Sequence, residues 1–206
     1  FVQAFKMGAE PFFFNHAEKK NARETYAVIL KYFVICGSLM LLILVSFIDI
    51  FKELLIKDSE YWMAISIVPI ILLANLFLGI YHNLAVWYKL TDRTRAGMYI
   101  SIFGALITIA INILLIPVIG FIAAAWATLL AYGGMMVVSY FFGRKYYPVP
   151  YNVKKISFYL ILSVGLSIVC FLYFREQYIV AVLVNLIFIV TVYLMERKQL
   201  AKIISS

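Results

Sequence analysis

Residues 62–88 read WMAISIVPIILLANLFLGIYHNLAVWY, with no Asp, Glu, Lys or Arg among them. A helix rises about 1.5 Å per residue, so about 20 apolar residues cross the hydrocarbon of a bilayer. This stretch is longer than that. Tyr61 and Trp62 open it and Trp87 and Tyr88 close it; such amphipathic rings favour the headgroup layer. The stretch reads as a transmembrane helix, and it decides the fold class. In hydrocarbon every backbone polar group must be satisfied within the chain, which favours helices wherever a run is this long and unbroken.

Five more stretches qualify: 25–48, 96–116, 121–142, 156–174 and 178–195. The predicted architecture is all-α, a polytopic transmembrane bundle of six spans. Residues 1–15 read as the tail of a seventh helix, because the sequence opens without Met or a polar lead-in and is expected to begin inside a span. They lack the charged lead and cleavage site of a signal peptide. Composition agrees. Hydrophobic residues make up 65% of 206 positions and charged ones 14%, with a mean hydropathy of +0.98. A water-soluble domain of this size needs a more polar surface. A single transmembrane domain over 1–206 is expected: a truncated helix at 1–15, four core helices over 25–142, and two peripheral helices over 156–195 with few polar side chains. Pro148 and Pro150 break the chain between the last two groups. Pro69 invites a kink in the second span, as a packing accommodation or a hinge.

The net charge of +8 raises the possibility of nucleic acid, but the placement of the charges argues for membrane orientation instead. Alternate loops hold Lys19, Lys20 and Arg23; Lys89, Arg93 and Arg95; Arg144, Lys145, Lys154 and Lys155; then Arg197, Lys198 and Lys202. These thirteen face three on the other side, Lys52, Lys57 and Arg175. The excess marks the cytoplasmic side, which includes the C-terminus. Lys31, about two turns into the first span, is expected to snorkel to that side. Asp49, Glu53, Asp58 and Glu60 alternate with Lys52 and Lys57 and read as a solvated outer loop. Cys36 and Cys170 sit in apolar runs and suggest no disulfide. No zinc spacing, Walker loop or nucleophile elbow occurs, so no enzyme activity, metal or cofactor is expected.

Polar side chains inside spans are costly unless they face a partner or water. Gly97, Ser101, Gly104, Thr108 and Asn112 share one face of the third span, as close packing over small residues or as a polar cavity wall. Asn75, Gly79, His82 and Asn83 share a face of the second. Lys6 and Glu10 are one turn apart, with Lys6 about 15 Å from the end of its helix near His16. They form either a functional ionisable pair or a self-neutralising one. His16 reads as a solvated loop residue. The candidate substrate path is thus Lys6, Glu10, Asn75, His82, Asn83, Ser101, Thr108 and Asn112.

Four phrases in this order, AFKMGAEPFFFNHA, VPIILLANLFLGIYHNLAVWYKLTDRT, YISIFGALITIAINILLIPVIGFIAAAWATLLAY and RKYYPVPYN, resemble the C-terminal half of bacterial polysaccharide biosynthesis membrane proteins. These are Wzx-type flippases of the multidrug/oligosaccharidyl-lipid/polysaccharide exporter superfamily. The likeness covers about residues 1–152 and is strongest over 68–151. It implies two helix bundles around a cavity open alternately to each side, in a bacterial inner membrane. It also implies a lipid-linked oligosaccharide on undecaprenyl diphosphate as cargo, and an amino-terminal bundle of the same protein as partner. The family often has Arg where Lys6 stands and Gly where Ala123 stands. Three other functions compete: a cation-coupled multidrug exporter of the same superfamily, a membrane-embedded glycosyltransferase or polymerase, and a non-transporting assembly subunit.

Overall fold

The structure is a computed structural model. It describes the backbone of residues 1–56 and 58–204, and the side chains of these residues other than 59–61, 198 and 200–204. Lys57 lies outside the described residues, as do the side chains of Glu60, Tyr61, Lys198 and Lys202. Among the described residues the regular elements are all helical: α1 (Val2–His16), α2 (Ala22–Ser46), α3 (Ile48–Leu55), a 3-10 helix (Ser59–Ile67), α4 (Val68–Leu84), α5 (Val86–Leu90), α6 (Thr94–Ile119), α7 (Ile122–Tyr146), α8 (Val153–Tyr173) and α9 (Tyr178–Ile204). Six helical stretches are long and apolar enough to cross a membrane: Ala22–Ser46, Trp62–Leu90, Thr94–Ile119, Ile122–Tyr146, Val153–Tyr173 and Tyr178–Arg197. They are the six spans expected from the sequence.

Three local features differ from expectation. Pro69 does not kink a helix interior. It stands in the first turn of α4, after the 3-10 segment, where its missing N–H leaves no bond unmade. The loop between the first two spans contains a short helix, α3, set off from α2 at Phe47, and Asp49 on it is only 3% exposed. The last helix runs past 195, which brings Glu196 into a helical and fully buried position.

The chain divides into two compact units: Phe1–Val34 with Ile67–Asn152, and Ile35–Ser66 with Val153–Ser206. In the first unit α7 packs extensively against both α4 and α6. Ala123, Ala127, Ala131, Met135 and Ser139 recur every fourth residue and are all buried; the small ones, the three alanines and Ser139, let neighbouring backbones approach. Gly133 faces the Phe77 ring of α4, while Gly134 faces Ile107 and Phe103 of α6. Successive residues point about 100° apart on a helix, so this pair serves two flanks. Gly120, at a φ of 63°, makes the tight turn from α6 into α7, a backbone region that favours glycine. In the second unit Leu42, Cys170, Val184 and Phe188 form the core. Ser38, Ser163, Ser167 and Asn185 are buried in the same unit, so α8 and α9 carry more polar groups inside than expected.

Candidate functional site

The site is assembled on α1, α4 and α5 of the first unit. α1 carries Lys6 and Glu10 on one face, both half-buried. The expected ion pair between them is not the one that forms. Instead Lys89 Nζ donates to a Glu10 carboxylate oxygen, in an ion pair whose side chains are 25% and 35% exposed. α5 reaches α1 because Phe13, Ala22, Tyr26 and Val86 pack in one cluster, with Ala9 and Leu90 against it. The Tyr26 hydroxyl fixes that cluster by donating to Phe13 O at 2.7 Å. The Lys6 side chain, one turn towards the N-terminus, makes no hydrogen bond or ion pair among the described residues. His82 on α4 is half-buried and lies in the electrostatic field of Lys6, Lys89 and Glu10. Beside these groups the hydroxyls of Tyr81 and Tyr88 are 3.2 Å apart.

Most of the remaining candidates bond back to their own helix. Asn83 is buried; its Nδ2 donates to Gly79 O at 3.0 Å, and its Oδ1 has no partner among the described residues. Asn75 is exposed and donates to Ile71 O at 2.9 Å. On α6, Ser101 donates to Gly97 O at 2.9 Å and Thr108 to Gly104 O at 3.0 Å. Asn112 is half-buried with an unpartnered Oδ1. The glycines of the two stripes are contact surfaces. A side chain at Gly97 would meet the Tyr88 ring, at Gly104 the Met135 sulfur, and at Gly79 the Phe33 ring and Val2. The structure thus gathers Lys6, Glu10 and His82 together with Lys89. Among the described residues no hydrogen bond or ion pair links Ser101, Thr108 or Asn112 to that group.

Several ionisable groups escaped sequence reasoning. Lys89 falls in the cluster that sets orientation, and no local pattern announces a partner 79 positions away. Lys31 does not snorkel: it is 5% exposed, with its ammonium 4.8 Å over the Tyr32 ring. In the second unit, Asp49 is no solvated loop residue. Arg175 donates to it twice, from Nη2 at 2.6 Å and from Nε at 3.2 Å, and Lys52 donates at 3.1 Å. The Arg175 hydrogen bond, outweighing the opposing effect of burial, holds the Asp49 carboxyl below the usual carboxylate range. Glu196 accepts from Lys155 Nζ and from the Tyr159 hydroxyl, each at 2.7 Å.

The family model MatE matches residues 12–114, half of the chain. The match takes in His82, Lys89 and the α4 and α6 stripes and begins just after Lys6 and Glu10. No curated protein matches the chain, and no solved structure does. Six apolar helices of membrane-crossing length and a match over half the chain agree: the chain belongs to the MatE family, membrane transporters of the multidrug/oligosaccharidyl-lipid/polysaccharide exporter superfamily.

Proposed function

We propose that this chain forms one bundle of a two-bundle flippase in a bacterial inner membrane, with a cytoplasmic C-terminus and no cofactor. Its cargo is a lipid-linked oligosaccharide on undecaprenyl diphosphate. The observation that carries the reading is Lys6, a half-buried cation on α1 whose side chain makes no ion pair or hydrogen bond among the described residues, its neighbour Glu10 being held by Lys89. A lone ammonium in hydrocarbon costs about 3 kcal/mol by insertion scales. A water-filled path removes most of that cost and leaves the charge free for a diphosphate. The cation-coupled exporter needs the opposite, a carboxylate free to take a cation. Among the described residues the carboxylates buried or half-buried in helices, Glu10, Asp49 and Glu196, each already hold a Lys or Arg.

The test uses the complete transporter in proteoliposomes with a fluorescent oligosaccharide on undecaprenyl diphosphate. Lys6→Met should lower flipping about tenfold, the equivalent of one charge-assisted hydrogen bond of about 1.5 kcal/mol. Lys6→Arg should retain or raise it, because guanidinium pairs with phosphate bidentately. Glu10→Gln should act more mildly. Loss of cation-driven drug efflux in Glu10→Gln, with flipping in Lys6→Met at the wild-type rate, would instead establish the drug-exporter reading.

A further inference from the structure

A cavity of about 480 Å³ opens where α5 ends, α6 begins and α7 ends. Its walls are largely aromatic. Trp87 is 2% exposed and stacks on Tyr146 at 5.6 Å and on Phe142 at 6.4 Å. Its indole N–H donates to Ser139 Oγ at 3.2 Å. Tyr99 of α6 also lines the cavity, and Arg93 and Arg95 stand at its exposed rim. The Arg93 guanidinium lies 4.0 Å over the Tyr146 ring. Stacking occupies its face and leaves the N–H edge open for an acceptor. Among the described residues neither the Arg93 nor the Arg95 side chain makes a hydrogen bond or ion pair. Asp92 lines the cavity as well, but one carboxylate against two guanidiniums leaves the site cationic.

We propose that this cavity binds a phosphate carried on a lipid. The chemistry selects an anion with several acceptor oxygens, since two guanidinium forks suit phosphate geometry. The position selects a lipid-borne one. Three membrane-crossing helices end here, so the cavity lies at headgroup depth. Immediately along α6, Ile102, Phe103 and Leu106 are 48%, 40% and 60% exposed, an apolar track for an acyl or isoprenyl chain below the headgroup. A free anion would use the arginines and have no use for that track. The inference does not rest on the flippase reading, because bulk anionic phospholipid and an isoprenyl diphosphate present the same group.

The test is the thermal unfolding midpoint of the complete protein in a neutral detergent, with four separate additions: dioctanoyl phosphatidylglycerol, dioctanoyl phosphatidylcholine, farnesyl diphosphate and inorganic phosphate. Phosphatidylglycerol or farnesyl diphosphate, at about 100 times its Kd, should raise the midpoint by about 5 °C. Whichever acts names the source. Phosphatidylcholine should not act. Arg93→Gln with Arg95→Gln should lose at least half of the shift, and Arg93→Lys with Arg95→Lys should lose part of it. Lys19→Gln with Lys20→Gln removes the same charge from exposed positions outside the cavity and should keep the full shift. An equal loss in that control would reduce the effect to general attraction between basic surface and anionic lipid, and would overturn the proposal. So would an equal shift with inorganic phosphate, or an undiminished one in the Gln pair.

Discussion

Asp49 shows how much a single carboxylate can hold together. It sits on α3 almost wholly out of solvent, and Arg175 reaches it from the connection between α8 and α9 with two hydrogen bonds. Bidentate geometry and a buried acceptor make this stronger than an exposed surface pair, although Arg175 itself is 44% exposed. Arg175→Ala should therefore destabilise the protein by about 2 kcal/mol, the typical worth of a hydrogen bond to a charged group. Lys52→Ala should cost less, since it removes one longer bond. The pH dependence has a definite sign. The carboxyl is held below its ordinary value of 3.8 in the folded chain, so it binds protons less readily folded than unfolded. Its contribution is complete above the unfolded value and disappears as pH falls through the lower, folded one. Melting curves in detergent from pH 7 downward should show the gap between wild type and Arg175→Ala constant above, and narrowing below, the ordinary value of 3.8; a gap unchanged at the acid end would contradict the pairing. None of this was legible in the sequence, where Asp49 stands among alternating charges that describe a solvated loop equally well. Lys89 and Glu196 were hidden for the same reason. An ion pair between distant positions leaves no periodicity, whereas a span leaves its whole signature within 20 or so consecutive residues.

At the scale of helices, the small residues decide which faces meet. The third span's stripe was legible as a stripe, with packing and cavity wall both open. Gly97 and Gly104 serve as packing, while Thr108 and Ser101 bond back to their own helix. What sequence spacing could not supply was the identity of the neighbour, which depends on connection geometry rather than on period. The neighbours differ in how far they can yield. At Gly104 the contact is the sulfur of Met135, part of a flexible unbranched chain. At Gly79 it is the Phe33 ring, which is 2% exposed and held by Phe1 at 5.3 Å and Phe5 at 4.5 Å between ring centroids. Overpacking a filled site costs about 1–3 kcal/mol. Gly79→Ala should fall at the upper end of that range and Gly104→Ala near or below its lower end. Membrane abundance and melting midpoint of the two variants check the order, and a less stable Gly104→Ala would show that Met135 is fixed in place. Pro69 belongs to the same scale. Its position within an apolar run suggested a kink, and only the 3-10 segment before it turns that position into a helix start.

Over the whole chain, the side of the membrane on which each connection lies was read from Lys and Arg counts alone, and the contacts within each unit bear on it independently. In the first unit the Arg23 guanidinium lies 4.7 Å from the centroid of the Tyr147 ring, and Arg93 lies over Tyr146. These join three segments assigned to the cytoplasmic side. In the second unit Lys155 pairs with Glu196 at one end of α8 and α9. At the other end Asp49 meets Arg175, and the Phe47 and Tyr178 rings stack at 6.5 Å. Each of these contacts joins two segments that the charge count puts on the same side. One missed or invented span would have separated some pair by the thickness of the bilayer. The expected topology can be checked with an impermeant maleimide on intact cells, in a background carrying Cys36→Ser and Cys170→Ala. Glu176→Cys, in the exposed turn between α8 and α9, should react from outside. Asp92→Cys and Lys154→Cys, exposed at the opposite ends of their spans, should react only after the membrane is opened. Labelling of all three from outside would end the six-span topology. Labelling of Asp92→Cys and Lys154→Cys alone would keep the spans and reverse the orientation, moving the Arg93 and Arg95 cavity to the outer leaflet. The anionic lipid would then have to be one found there.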